Sequence, residues 1–270
     1  MNDAELARYL ERIGHSANVR PDLPTLRSLH RAHVTAIPFE AIDAQLGVVP
    51  SLEPQAIFEK LVIQPRGGWC YEMNGLFGAA LRAIGFSVTR VAGSVMRQTG
   101  GALTGTHLAL LVDCDGRWLC DVGFAGCQLE PLPLPASETT QAPYTVSVAP
   151  ADDGFWRFTQ RLGAPFSYDF RAEQADETLF AEKCHWLATH PDSNFTLNFV
   201  AQRRFSDRHL ILRGRVLTEH GLDGSTVHTI EHADELVTVL RENFGIDEPR
   251  AREAWPRIVA RHRELFDEAV

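Results

Sequence analysis

The sequence lacks the features that mark membrane, secreted and nucleic-acid-binding proteins. No apolar run approaches the length of a membrane span, and the first residues, MNDAELARYLERIG, are charged rather than typical of a signal peptide. We therefore expect a cytoplasmic protein without membrane partners. Positive charge is also scarce. The net charge of -9 argues against nucleic acid as a partner, because phosphate binding needs a basic surface.

Cysteine is rare and odd in number, with five residues in a chain of 270. Without a signal peptide, this usage indicates a reducing compartment and not a disulfide framework. Cys114, Cys120 and Cys127 are separated by five and six residues, so they lack the short pairs of a structural zinc site. His30 and His33 are spaced like metal ligands, but no third ligand is placed nearby. We therefore predict that the protein holds no metal.

Repeats and low-complexity segments are absent too, but the hydrophobic pattern changes along the chain. Spacings of three and four predict a helical region over residues 1–85, and alternation predicts a small barrel or sandwich over 86–174. A helix is expected over 175–192, followed by a smaller mixed unit over 193–270. This order of parts predicts an α+β protein.

Alternating apolar residues predict a series of short strands after residue 86. In the second region they cover 87–96, 106–114, 117–124, 144–148, 154–161 and 166–171, and the proline-rich segment 131–135 is predicted to be a stiff loop. In the last region, strands are expected over 195–205, 209–219 and 226–230, and helices over 233–244 and 248–266.

One cysteine lies within RGGWCYEMNGLFGAALRAIGF, at residues 66–86. Apolar residues recur at steps of three and four from Cys70 onward, which predicts a helix that ends at Gly85. Cys70 therefore lies in or next to the first turn, where unpaired N–H groups and the helix dipole favour a thiolate. The alternative is a buried cysteine that acts as a small apolar residue.

A candidate base comes from THLALLVDCDGRWLCDVGF, at residues 106–124. The segment predicts a hairpin with either a two-residue turn or a three-residue loop. Only the three-residue loop places His107 and Asp121 on one face, within reach of a hydrogen bond. We favour this loop, because an aspartate in an apolar strand is costly to bury without a partner. The alternative is that Asp121 begins an exposed loop.

Cys70, His107 and Asp121 together offer a nucleophile, a base and a group that orients the base. The carboxylate of Asp121 would fix the tautomer of His107 and stabilise its imidazolium, which would hold Cys70 as a thiolate. The sequence therefore predicts a nucleophilic cysteine site, on the condition that the three segments meet in the fold.

Several motifs resemble those of the arylamine N-acetyltransferase family, in the family's order and spacing. They are IPFE at 37–40, RGGWCYEMN at 66–74, THLALLV at 106–112 and DVGF at 121–124. The likeness is strong over the first half of the chain, whereas the second half fits in length and pattern. The resemblance implies a papain-like cysteine transferase fold, in which a helical bundle carries the cysteine, a β-barrel carries the histidine and aspartate, and a C-terminal α/β lid follows.

The resemblance also implies an activity. Acetyl-CoA would acylate Cys70, and an arylamine, arylhydrazine or N-hydroxyarylamine would then take the acetyl group, in a ping-pong cycle of xenobiotic metabolism. Phe124 would contact the aryl acceptor, while Arg66 and Glu40 would form a charged pair that braces the site. The protein would be a monomer or homodimer, with acetyl-CoA as co-substrate and no metal.

Four positions near the predicted site depart from the family pattern, and none belongs to the triad: Ala41, Trp69, Tyr71 and Ala125. Three alternatives share this chemistry or scaffold. The first is an amide synthase that closes a natural-product macrolactam, the second is a papain-like cysteine hydrolase, and the third is a binding protein without activity.

Overall fold

The fold combines helices with two antiparallel sheets, so the chain is an α+β protein, as predicted. A computed structural model describes residues 1–100, 104–124 and 128–266. The helices within these ranges are α1 (Asp3–Arg12), α2 (Leu23–Ala36), α3 (Ile42–Gln45), α4 (Pro54–Phe58), α5 (Cys70–Ile84), α6 (Glu177–Thr189), α7 (Asn194–Leu197), α8 (Ala233–Val239) and α9 (Trp255–Phe266). Single π-helical turns, Glu59–Ile63 and Leu240–Phe244, extend α4 and α8, and the 3₁₀ segment Pro249–Ala254 precedes α9.

Helix α5 lies at the centre of the N-terminal core and contacts α1, α2 and strands of the larger sheet. It begins at Cys70 and ends where Gly85 adopts a left-handed φ of +109°, both as predicted. The predicted apolar face is buried, and Phe77 and Leu81 are fully shielded from solvent. Each such side chain contributes about 1.5–3 kcal/mol relative to an exposed one, so this face holds the helix in place.

The larger sheet has eight antiparallel strands and is almost closed, because the strands at its two edges contact each other. The strands are β2 (Ser87–Val95), β3 (His107–Asp113), β4 (Arg117–Cys120), β5 (Leu132–Leu134), β6 (Ser137–Gln141), β7 (Tyr144–Pro150), β8 (Trp156–Leu162) and β9 (Ala164–Phe170). Their spatial order is β5-β4-β3-β2-β9-β8-β7-β6.

The hairpin of β3 and β4 has the three-residue loop that the sequence favoured. Asp113 pairs with Arg117, and Gly116 in the loop has a φ of +113°. The ladder continues to the pair Leu110 and Cys120, and Asp121 is the next residue of the chain. The register therefore brings Asp121 towards the beginning of β3, where His107 lies.

Two predictions for this sheet were wrong. Strand β4 ends at Cys120 and does not reach residue 124, because Asp121 leaves the ladder and its carboxylate accepts the N–H of Gly123 at 2.9 Å. The proline-rich segment is not a loop throughout, since Leu132–Leu134 pairs with β4. Proline is tolerated there because β5 is an edge strand.

The smaller sheet consists of five antiparallel strands in spatial order β1-β10-β11-β12-β13. They are β1 (Phe39–Glu40), β10 (Val200–Arg204), β11 (His209–Arg213), β12 (Val216–Gly221) and β13 (Gly224–Thr229). Phe39 pairs with Gln202, so the N-terminal region supplies the first strand of this sheet. Helices α8 and α9 share a second core with it, which includes Leu212, Leu240 and Ile258.

Two strand predictions in this region were also wrong. Residues 195–205 begin with helix α7, because the side chain of Ser193 caps the N–H of Phe195 at 3.2 Å. Residues 209–219 form a hairpin and not one strand, since Arg213 pairs with Val216 around Gly214, whose φ is +60°. The other predicted strands agree with the observed bounds within two residues at each end.

Among the described residues, no helix has the length and apolar character that a membrane crossing requires. The division of the chain at residues 85, 174 and 192 stays a prediction.

Candidate active site

Cys70 is the first residue of α5 and is only 4% exposed. Two glycines allow the backbone to pack closely around it. A Cβ on Gly123 would lie 2.7 Å from the Cα of Cys70, and one on Gly68 would lie 2.7 Å from a carboxylate oxygen of Glu72. Both distances are too short for a residue with a Cβ atom. Glycine is therefore required at 123, in the loop after β4, and at 68, just before the cysteine turn.

His107, the first residue of β3, contacts both Cys70 and Asp121. Its Nε2 lies 2.7 Å from Oδ2 of Asp121, and Cys70 lies close enough to the ring to help raise its pKa. Burial alone would lower the pKa of His107, but the charge and hydrogen bond of Asp121 outweigh burial and raise the pKa to about 10. The ring is therefore protonated at neutral pH and presents positive charge to the sulfur. The structure brings the three predicted residues together.

Asp121 remains ionised although its side chain is fully buried. Burial would raise its pKa, but the charge and hydrogen bond of His107 and further hydrogen bonds lower the pKa below its usual value. Oδ1 accepts from Nδ2 of Asn74 at 2.8 Å and from the N–H of Gly123 at 2.9 Å. The surroundings of Asp121 therefore agree with the predicted buried and paired carboxylate and not with the alternative of an exposed loop.

Asn74 links the three elements that carry the triad, a role that the sequence analysis missed. Besides its bond to Asp121, Nδ2 donates to the carbonyl of Leu108 at 2.7 Å, and Oδ1 accepts from the N–H of Val122 at 3.1 Å. These two residues directly follow the histidine and the aspartate of the triad. A signal was present, because Asn74 is a polar residue one turn after the cysteine and directly before the apolar run of residues 75–81.

The two histidines that were considered as metal ligands make structural hydrogen bonds. Nε2 of His30 accepts from the backbone N–H of Asp121 at 3.2 Å, and Nδ1 donates to the carbonyl of Leu129 at 3.2 Å. Burial lowers the pKa of His30 to about 4, so the ring is neutral. His33 is also buried and hydrogen-bonds to the hydroxyl of Tyr9 at 2.9 Å. His30 thus helps to position the backbone of Asp121 in the triad.

Within the described residues, no three histidine, cysteine or acidic side chains are grouped as metal ligands would be. Cys114 and Cys120 have free thiols, and Cys120 is buried in β4. Cys127 and Ala125 lie outside the described residues. The absence of a metal stays a prediction.

The predicted pair of Arg66 and Glu40 is part of a larger group of charges. Nη2 and Nε of Arg66 lie 2.7 and 3.1 Å from Oε1 of Glu40, Nη2 also lies 3.0 Å from Asp43, and Nη1 lies 2.8 Å from Glu248. Lys60 adds a second cation, 2.7 Å from Asp43. We call this group the buried charge cluster; its members are Glu40, Asp43, Lys60, Arg66, Glu72 and Glu248.

Glu72 connects the buried charge cluster to the cysteine turn. Its Oε2 accepts the backbone N–H of Trp69 at 3.2 Å, and its Oε1 accepts from Lys60 at 2.8 Å. Burial raises the pKa of Glu72 to about 7. The negative charges of Glu40 and Asp43 add to this shift, whereas Lys60 opposes it. Lys60 and Glu72 had no predicted role, and only the position of Glu72 in the first helical turn could have indicated one.

A cleft of about 620 Å³ opens beside Cys70 and His107. Residues from both sheets line it, and its aromatic walls include Phe39, Phe124, Phe166, Trp186 and Phe195. Phe124 is 5% exposed, and its ring stacks on Phe166 with centroids 4.8 Å apart and an interplanar angle of 10°. It also meets His107 edge to face at 5.0 Å. An apolar molecule that enters the cleft therefore meets Phe124 next to the triad.

Three of the four departures from the family pattern lie in described parts of the chain. Ala41, Trp69 and Tyr71 are all buried. The hydroxyl of Tyr71 donates to the carbonyl of Gly105 at 2.6 Å, which ties α5 to the segment before β3. These substitutions therefore act within the core around the site.

A cysteine at the start of a helix, in contact with a histidine and aspartate from an adjoining sheet, is the architecture of papain-like cysteine enzymes. A family model described as N-acetyltransferase matches residues 22–252. The arylamine N-acetyltransferase of Mycolicibacterium smegmatis is 36% identical over 255 residues, which cover 90% of this chain and 92% of that protein. The chain belongs to the arylamine N-acetyltransferase family.

Two further comparisons bear on the site. The structure of Mycobacterium marinum arylamine N-acetyltransferase in complex with CoA matches with a TM-score of 0.85 and 31% identity, covering 95% of this chain and 97% of that one. The proansamycin X synthase of Amycolatopsis mediterranei is 34% identical over 171 residues, which cover 61% of this chain and 65% of that protein.

Proposed function

We propose that Cys70 carries an acetyl group from acetyl-CoA to arylamines, arylhydrazines or N-hydroxyarylamines. The observation that carries this proposal is the chain of contacts from Cys70 through His107 to Asp121 at the edge of an aromatic cleft. The relatives' names support CoA as the carrier and arylamines as acceptors, since one is an arylamine N-acetyltransferase and another is such an enzyme in complex with CoA.

The first half-reaction would acylate the cysteine. The Cys70 thiolate attacks the carbonyl carbon of acetyl-CoA, a new carbon–sulfur bond forms, and the bond to the CoA sulfur breaks. The leaving CoA thiolate takes the proton of the His107 imidazolium, which the structure holds beside the cysteine. The products are free CoA, an acetyl-cysteine and a neutral imidazole that Asp121 still orients.

The second half-reaction would return the site to its starting state. An aryl amine of low basicity is neutral near pH 7, so its nitrogen attacks the thioester directly. His107 accepts the proton that the nitrogen loses, and the electrons of the breaking bond return to the sulfur of Cys70. Phe124 would guide the acceptor by stacking on its ring, since the side chain borders both the cleft and His107.

The buried charge cluster would brace this machinery. Arg66 and Glu40 join the turn before α5 to the segment before α3, and Glu72 holds the backbone of Trp69, next to the cysteine. We propose that these contacts fix the position of Cys70 without touching the substrate.

Mass spectrometry of the intact protein tests the proposal. Mixing with acetyl-CoA alone should add one acetyl group, which peptide mapping should place on Cys70, and addition of an aniline should remove it with formation of one equivalent of acetanilide. Cys70→Ala should take up no acetyl group, whereas Cys184→Ala, which removes another buried cysteine, should behave as wild type. An unmodified Cys70 would contradict the proposal.

A second candidate function is an amide synthase that closes a macrolactam with an internal aryl amine. The similarity to the proansamycin X synthase favours it, although that match covers less of this chain than the acetyltransferase match. Turnover separates the two, because a synthase should transfer almost no acetyl group to a simple aniline. A hydrolase would instead release acetate at the same rate with and without amine.

We also propose a cytoplasmic location, a monomeric or homodimeric state and a part in xenobiotic metabolism. A reducing compartment suits the site, because a nucleophilic cysteine must stay reduced to react. The cysteines within the described ranges have free thiols, including the nucleophile.

A further inference from the structure

One rim of the catalytic cleft is a tight turn that follows β2. We call residues 96–100 the rim turn, and its backbone includes the 3₁₀ segment Arg97–Thr99. Val95, just before the rim turn, and Gly100, its last residue, both line the cleft. The rim turn therefore connects two points of the cleft wall, and its position affects the width of the opening.

The rim turn is also attached to the aromatic wall of the cleft. The backbone N–H of Met96 donates to the carbonyl of Ser167 at 2.9 Å. Ser167 directly follows Phe166 in β9, and the ring of Phe166 lines the cleft and is 37% exposed. A shift of the rim turn would therefore also move an aromatic side chain that an aryl ligand meets.

Met96 has a strained backbone conformation. Its φ of +51° and ψ of +37° lie in the left-handed region, which residues with a Cβ atom rarely adopt. Such a conformation persists only where the surrounding contacts enforce it. A single 3₁₀ turn supplies few such contacts, because it is short and its hydrogen bonds are poorly aligned. The rim turn therefore needs an anchor outside itself.

Arg97 provides this anchor. Its Nη1 donates to Oδ2 of Asp169 at 3.2 Å, and its Nη2 donates to Oδ2 of Asp153 at 3.2 Å. The guanidinium also lies over the ring of Phe155, 4.2 Å from the ring centroid. Two ion pairs and a cation–π contact thus tie the rim turn to β9 and to the segment before β8.

Asp169 is a buried charged group that the proposed mechanism does not use. Its side chain is 0% exposed, and Arg157 donates to both of its oxygens, at 2.7 and 2.8 Å. Burial would raise the pKa of Asp169, but the hydrogen bonds and charges of Arg157 and Arg97 lower the pKa below its usual value. Since Arg157 already pairs with this carboxylate, the further contact with Arg97 serves to fix the rim turn.

We propose that Arg97 is a positioning residue that holds the rim turn and thereby sets how closely the cleft fits an aryl acceptor. The inference rests on the proposed function, which assigns arylamine acceptors to the cleft. Within the described chain, Arg97 shares no hydrogen bond or ion pair with the triad. Loss of its side chain should therefore weaken binding of the acceptor and leave the chemistry at Cys70 unchanged.

Equilibrium dialysis with 4-aminobiphenyl, a two-ring arylamine, tests the inference. Arg97→Gln should bind this amine about tenfold more weakly than wild type, as expected where part of an aromatic contact is lost. Its maximal rate of acetyl transfer to the amine should stay within about threefold of wild type, because binding and not the reacting geometry is altered. Arg171→Gln is the matched control, since Arg171 also lies over the ring of Phe155, at 4.3 Å, but is not part of the rim turn. It should leave the affinity unchanged.

Unchanged affinity of Arg97→Gln for 4-aminobiphenyl would overturn the inference. A parallel loss of affinity and of Cys70 alkylation by iodoacetamide would also overturn it, because Arg97 would then support the whole site and not the rim turn. Equal losses of affinity in Arg97→Gln and Arg171→Gln would overturn it too, since packing on Phe155 would then be responsible. Acetylation of wild-type Cys70 by acetyl-CoA is a separate readout of the proposed function. A wild type that takes up no acetyl group, with an affinity for the amine that still depends on Arg97, would refute only the proposed function.

Discussion

Asp121 and Glu72 are both buried carboxylates next to the start of α5, yet their pKa values shift in opposite directions. Asp121 is 0% exposed and Glu72 is 2% exposed, so burial opposes ionisation of both. Asp121 receives hydrogen bonds from the side chains of Asn74 and His107 and from a backbone N–H, and its pKa falls. Glu72 has one cation, Lys60, and its pKa rises to about 7.

The neighbours of the two carboxylates explain the difference. The cation beside Asp121 is His107, which no other described carboxylate approaches within ion-pair distance. The cation beside Glu72 is shared, because Lys60 also lies 2.7 Å from Asp43 and 3.9 Å from Glu40. A buried carboxylate thus stays ionised where several donors point at it and no second anion competes. The triad meets this condition, and the buried charge cluster meets it only in part.

Asp121→Asn should have the largest effect on activity. An amide cannot stabilise the imidazolium, so burial should then lower the pKa of His107 and leave a neutral ring beside Cys70. We expect the rate of acetyl transfer to fall by about 10³–10⁴-fold, as when a triad carboxylate is lost elsewhere. Steady-state kinetics with acetyl-CoA and an aniline measure the loss, and a decrease below tenfold would mean that another group orients the histidine.

Lys60→Met should have the largest effect on stability. It removes a cation that neutralises three carboxylates of the buried charge cluster, and loss of one partner from a buried ion pair costs about 3–5 kcal/mol. Urea denaturation measures the free energy of unfolding. Lys183→Met, which changes the only other lysine of the chain, is the control and should cost less than about 0.5 kcal/mol. Equal costs would mean that the cluster does not depend on Lys60.

Asn74→Ala tests whether Asp121 depends on its donors. The variant removes one hydrogen bond to Asp121 and leaves Leu108 and Val122 without their side-chain partner. We expect acetyl transfer to slow by about 10–100-fold, which corresponds to the loss of one to two buried hydrogen bonds. The pH profile should also change, because a less stabilised Asp121 supports the imidazolium less well. Asn18→Ala, at an exposed asparagine, should alter neither rate nor profile.

Glu72→Gln should give the smallest effect, visible as a change in the pH dependence of stability. The pKa of Glu72 is raised from 4.5 to about 7 in the fold, so the folded state binds the proton more tightly than the unfolded state. This stabilising contribution is complete below pH 4.5 and is lost as the pH rises through about 7. The variant should therefore gain about 1–3 kcal/mol relative to wild type across this window.

Denaturation at several pH values measures the difference in slope between Glu72→Gln and wild type. Glu59→Gln, at an exposed glutamate beside the cluster, should keep the wild-type slope. Parallel curves for Glu72→Gln and wild type would contradict the raised pKa.

The sequence predicted those parts of the site that depend on local patterns. Helix α5 followed from apolar spacing and Gly85, and the three-residue hairpin loop followed from the cost of burying Asp121 alone. Both depend on residues close together in the chain. The resemblance to a known family then supplied the pair of Arg66 and Glu40.

The supporting contacts could not be predicted, because they join distant segments. His30 accepts the N–H of Asp121, 91 positions away, and Arg66 contacts Glu248 across 182 positions. No periodicity encodes such pairs. The local rule that proline marks a loop also failed in β5, because a strand at the edge of a sheet accommodates proline.

The central claim is that Asp121 keeps His107 charged and that this charge activates Cys70. The rate at which iodoacetamide alkylates Cys70, followed by peptide mass at a series of pH values, tests it most directly. In wild type the pKa of His107 is about 10, so the ring stays charged through the neutral range and alkylation should be fast there. In Asp121→Asn it should be slow at neutral pH and rise with pH like that of an ordinary thiol. Identical profiles for the two proteins would contradict the account.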